Sequence, residues 1–102
     1  MGELAMIIST TTQPGKREEV AALYHELMAP RAEENTAQRV VVWCDDQQNE
    51  DRFHLFEIYT DPAAMGANAS APWFAEYMTK AGPLLAGEPT VVMATTGWSK
   101  GL

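Results

Sequence analysis

Cysteine is nearly absent from this chain: Cys44 stands alone among 102 residues, so no internal disulfide can close, as befits a reducing compartment. Basic residues are scarce as well. Seven Lys and Arg face 14 Asp and Glu, and a net charge of -7 repels phosphate backbones and anionic headgroups, which argues against nucleic acid and membrane surfaces as partners. Long apolar runs are missing, and so is a basic start followed by an apolar stretch and a small-residue cleavage site; Met6 stands where a myristoylation signal needs Ser or Thr. A cytoplasmic location is the expectation. His25 and His54 are isolated and pair with no cysteine at ligand spacing, so no metal is expected, and without a Gly-rich phosphate loop no nucleotide cofactor is either. Cys44 is followed by Asp45 and Asp46, an anionic setting that disfavours a thiolate nucleophile.

Apolar material, by contrast, is ample. Hydrophobic residues make up 46% of the chain, with three each of Trp, Tyr and Phe, enough to fold residues 1–102 as one domain. Gly and Pro divide it into periodic segments. Leu4 to Thr12 is rich in β-branched residues and stops at Gln13-Pro14-Gly15, which predicts a first strand and a turn. From Lys16 to Glu34, Val20, Leu23, Tyr24, Leu27 and Met28 recur at helical spacing; Pro30 predicts a kink or a restart late in that helix, and Asn35 a left-handed cap. Arg39 to Cys44 and Arg52 to Tyr59 read as two strands joined by the polar turn Asp45 to Glu50. Asp61-Pro62 opens a short helix to about Asn68, and Ser70-Ala71-Pro72 opens another, whose stripe is Trp73, Phe74, Tyr77, Met78, Ala81 and Leu85. Thr90 to Thr96 closes the chain as a last strand, ended by Gly97.

The order β-α-β-β-α-β predicts a ferredoxin-like α+β fold, with a four-stranded antiparallel sheet and both helices on one face. Both sides of the strands are apolar, however. Phe53, Leu55, Glu57 and Tyr59 alternate with His54, Phe56 and Ile58, so the face that the helices leave bare needs another cover. A second copy of the chain, sheet against sheet, is the economical one, and a homodimer is expected.

Four segments carry a resemblance over nearly the whole chain: Gln13 to Lys16, Met28 to Glu33, Phe56 to Ala64, and Asn68 to Tyr77. Together they resemble the antibiotic biosynthesis monooxygenase family of dimeric α/β-barrel proteins, which includes quinol monooxygenases. The resemblance implies a cofactor-independent oxygenation of a small quinol or polycyclic phenol, in which the protein excludes water, stacks on the ring and stabilises an oxyanion. It also implies a pocket built from Asn68, Trp73 and Tyr77 as donors, with Glu57, Tyr59, Phe74 and His25 against the substrate. Many members have His where this chain has Asn68 and Trp73, so the base must come from elsewhere. Glu57, among apolar neighbours, is one candidate; a salt bridge to Arg31 or Arg39 is its structural alternative. His25 and His54 are others, each equally readable as a structural histidine. Periodicity alone reads Trp73, Phe74, Tyr77 and Met78 as the core stripe of a helix. The competing function is a non-catalytic relative that binds a small hydrophobic ligand or serves a stress role. Haem degradation is disfavoured, because the last helix has no histidine to serve as an axial ligand.

Overall fold

Alternating apolar residues and three proline-led helix starts give the element order that the sequence predicts. The computed structural model describes residues 2–102. Strands β1 (Leu4–Thr11), β2 (Gln38–Asp45), β3 (Arg52–Tyr59) and β4 (Thr90–Thr95) form one antiparallel sheet in the order β2-β3-β1-β4. Helices α1 (Arg17–Leu27) and α2 (Ala29–Glu34) follow β1, and α3 (Pro62–Ala69) and α4 (Pro72–Ala81) follow β3. This is the ferredoxin-like α+β arrangement. No described helix is long and apolar enough to cross a membrane.

The breaks have local causes. Pro30 lies in the first turn of α2, where its missing N–H costs nothing, and the chain turns at Met28 just before it. Asp61 caps α3 by accepting from the Ala64 amide at 2.9 Å. Asn35 does not take the expected left-handed conformation. It is extended (φ -88°, ψ 96°), and its side-chain oxygen accepts from the Ala37 and Gln38 amides, so the side chain makes the turn that a positive φ would have made. The stripe predicted through Leu85 stops at Ala81, because Pro83 tightens Gly82–Leu84 into a 3₁₀ turn. Leu85 pairs instead with Thr12, just beyond the end of β1.

Opposed residues share a face, so the register fixes what each side of the sheet carries. Met6, Ile8, Trp43, Phe53, Leu55, Glu57 and Tyr59 lie on the helix side. There Val20, Tyr24, Met28, Phe53, Leu55, Tyr77 and Ala81 make the core, and the Phe53 ring stacks on Trp43 at 3.8 Å. The bare side carries three cross-strand rows. Val40-Ile58-Ala5-Ala94 and Val42-Phe56-Ile7-Val92 are apolar; Cys44-His54-Ser9-Thr90 is polar. Phe56 and Val42 are each 46% exposed there. Between Gln38 and Val40 the β2–β3 ladder shifts register, and this bulge turns Gln38 toward the helices, opposite Tyr59.

The polar row is anchored. His54 donates through Nε2 to the Asp46 carboxylate at 2.8 Å, and its Nδ1 pairs with the Ser9 hydroxyl, also at 2.8 Å. The bond from His54, followed by the amide of Gln48, holds the Asp46 carboxyl below its ordinary value of 3.8. A depressed carboxyl stabilises the fold above the unfolded-state value, and that contribution disappears as pH falls through the folded-state value. Asp46→Asn is therefore expected to show a shallower acid-side fall in melting temperature than the parent protein. Thermal midpoints measured from neutral pH down through the carboxylate range check this; coincident slopes would contradict it.

Candidate active site

Between the helix side of the sheet and helices α1, α3 and α4 lies a cavity of about 240 Å³. Its walls are almost wholly apolar, with Ile8, Phe53 and Leu55 on the sheet and Phe74 and Met78 on α4. Polar groups gather on one side of it. Glu57 is only 5% exposed, and its Oε1 accepts from Gln38 Nε2 at 2.9 Å and from the Tyr59 hydroxyl at 2.5 Å. The Tyr59 oxygen in turn receives Gln38 Nε2 at 3.0 Å and Asn68 Nδ2 at 3.1 Å. Its capacity is thereby filled, so Tyr59 orients the carboxylate and has nothing left for a ligand.

The carboxylate has neutral donors and no cation. The salt bridge weighed from the sequence is not made: Arg39 grips Glu3 at 2.7 Å at the surface, and the Arg31 guanidinium lies 4.7 Å above the Trp73 ring. Burial pushes the Glu57 pKa up, and the bonds from Tyr59 and Gln38 offset only part of that. A buried carboxyl held by neutral partners is a stronger proton acceptor than an exposed one. Burial, with Glu57 and Tyr77 nearby, also raises Tyr24, and burial pushes Tyr77 up to about 12. Both phenols therefore stay protonated and can donate.

Three polar atoms remain free for a ligand. Among the described residues Glu57 Oε2 and the hydroxyls of Tyr24 and Tyr77 have no protein partner, yet only Trp73 Nε1 is both sealed and unpartnered. The other three therefore keep some accessible surface, and their residues line the cavity, Tyr24 lining the depression beside Trp43 as well. Tyr24 and Tyr77 meet edge to face, with centroids 5.7 Å apart, which fixes both rings. An acceptor and two donors on the wall of one apolar void suit a ligand with a hydroxyl that can lose its proton.

Of the residues singled out from the sequence, the cavity brings together Glu57, Tyr59, Asn68, Phe74 and Tyr77. Trp73 lies outside it, in a surface depression with Arg31, Glu34 and Asn35 that Asn68 also borders, and His25 lies in another beside Trp43. Tyr24 and Gln38 were not anticipated. Tyr24 is visible in the helical stripe, but its role needs Tyr77 and Glu57 beside it, and Gln38 reaches the cavity only through the bulge. Among the described residues no group of three or more His, Cys, Asp or Glu is placed to hold a metal ion.

Residues 4–80 match the family model described as antibiotic biosynthesis monooxygenase. The fold matches many solved structures. One, described as an antibiotic biosynthesis monooxygenase, is 20% identical over 92% of this chain and 98% of its own, with a TM-score of 0.82. PA3566 from Pseudomonas aeruginosa is 18% identical over 96% and 97%, with a TM-score of 0.83. A conserved protein from Methanosarcina mazei Go1 is 13% identical over 95% of each chain, with a TM-score of 0.85. At such identities the structural likeness concerns the fold alone. A search of the curated proteins gives no match.

Proposed function

The chain belongs to the antibiotic biosynthesis monooxygenase family, and from that premise we propose that it is a homodimeric oxygenase of a small phenol or quinol, using O₂ directly, without metal, flavin or nicotinamide. The observation that carries the proposal is Glu57, a buried carboxylate with a raised pKa and one oxygen without a protein partner, in an apolar cavity that Tyr24 and Tyr77 also line. The substrate hydroxyl gives its proton to Glu57 Oε2, and the ring oxyanion is held by the hydroxyls of Tyr77 and Tyr24. The electron-rich ring passes one electron to O₂, and the two radicals join as a carbon–oxygen bond. Glu57 returns its proton to the resulting peroxide. Loss of water, with the ring hydrogen leaving as a proton, yields the quinone. One oxygen atom enters the product and the other leaves as water, with both electrons supplied by the substrate.

Dimerisation belongs to the same proposal. On the bare face of the sheet the row Val42-Phe56-Ile7-Val92 leaves Val42, Phe56 and Val92 exposed, an apolar strip of the kind that monomers seldom expose, and a twofold copy covers it with itself.

Oxygen uptake with a panel of hydroquinones and hydroxynaphthalenes, in chelator-treated buffer, tests the activity. Uptake at no more than the buffer rate for every compound would end the proposal, and ligand-dependent thermal stabilisation without uptake would favour a binding protein instead. Trp73→Phe provides a sharper internal check. Because the indole lies outside the cavity, uptake is expected to stay within about twofold of the parent rate. A loss of about 10²-fold would place the indole N–H on the oxyanion after all.

A further inference from the structure

Four of the chain's six methionines line the cavity: Met6 from β1, Met28 from the α1–α2 junction, Met65 from α3 and Met78 from α4. Each comes from a different element, so they are not the stripe of one helix but a ring of thioethers around one void. Three rings of the wall are braced. Phe53 is clamped on Trp43 with the ring planes 10° apart, and Tyr24 and Tyr77 brace each other. Methionine is unbranched, turns about three side-chain bonds and has a polarizable sulfur that sits well against ring edges, so it can yield without moving backbone. The cavity's size makes such yielding relevant. At about 240 Å³ it falls below the ~300–1,000 Å³ usual for small-molecule sites, so a ligand with more than a small ring system either protrudes from its open side or needs the wall to retreat.

We propose that the four methionines make this a size-adaptable aromatic site, in which the free oxygens of Glu57, Tyr24 and Tyr77 fix one hydroxyl while the thioethers shift to admit ring systems of different outline. The inference rests on reading the cavity as a hydroxyaromatic site, and it adds that specificity resides in the hydroxyl rather than in the shape of the rings.

Anaerobic calorimetric titration with 1-naphthol, 9-phenanthrol and 1-hydroxypyrene tests it, since excluding oxygen separates binding from turnover. The three dissociation constants are expected to agree within about tenfold, against the ~10–200-fold steps with which a rigid apolar pocket can discriminate single methylenes. In Met28→Leu/Met78→Leu, a volume-conserving change to a branched side chain, the spread is expected to widen to about 100-fold. A second measurement needs no variant: with ¹³C-methyl methionine, NMR should show the resonances of the four lining residues moving differently for each ligand. A parent protein that discriminates by more than about 100-fold, fails to bind any of the three, or keeps its methionine resonances unmoved overturns the inference. Similar binding of all three without aerobic oxygen uptake would leave the adaptable site standing and end the oxygenase proposal. Uptake confined to one tightly bound compound would do the reverse.

Discussion

Replacing Glu57 by glutamine is expected to lower kcat/KM by about 10²–10⁴-fold, the usual contribution of a positioned general base. The amide keeps the shape and can still accept from Gln38 and Tyr59, so the loss reports proton transfer rather than collapse of the site. Stability provides the second reading of the same variant. A carboxyl whose folded-state pKa lies above its unfolded value binds more protons in the native state, so the fold is favoured below the ordinary value of 4.5. That contribution is lost as pH rises through the raised value, because the ionised group must then stay buried. Glu57→Gln removes this dependence. The melting temperature of the variant should therefore gain on that of the parent as pH climbs from the carboxylate range toward neutrality. Parallel curves would mean that Glu57 is not strained by its burial, and unchanged turnover would remove it as the base.

Phe56→Glu is expected to have the other large effect, on assembly. Phe56 sits in the middle of the central apolar row of the bare face, between Val42 and Ile7, and is 46% exposed in the single chain. A carboxylate there is tolerated by a monomer, whereas pressed against a partner's apolar rows it costs several kcal/mol. The dimer dissociation constant should rise by about 10²-fold or more. Sedimentation velocity at micromolar concentration distinguishes the outcomes: the parent should run as a dimer and the variant as a folded monomer. A parent that is itself monomeric, or a variant that still pairs, would refute the sheet-to-sheet assembly.

Much of the fold was legible because it rests on periodicity. The alternation of Phe53, Leu55, Glu57 and Tyr59 with His54, Phe56 and Ile58 fixes which side of β3 meets the helices, and Pro30 and Pro72 mark helix starts whatever surrounds them. The site was legible only in part. Glu57, Asn68, Phe74 and Tyr77 follow from their positions on these elements, but Trp73 shows where spacing stops being informative. Four residues along a helix leave about 40° of rotation and 6 Å of rise, enough to carry Trp73 past the cavity wall to Arg31 while Tyr77 stays inside. Tyr24 and Gln38 depend on long-range neighbours, which no local pattern encodes.

The irregularity between Gln38 and Val40 decides what kind of group Glu57 becomes. Had the hairpin zipped up without its surplus residue, strict alternation would have set Arg39 across from Tyr59 and tucked a guanidinium beside the acid. A permanent cation there would have pinned the acid in its ionised state and dulled its appetite for protons. One hiccup in the weave sends the arginine outward to Glu3 and seats an uncharged amide in its stead, and the basicity of the buried acid hangs on that exchange.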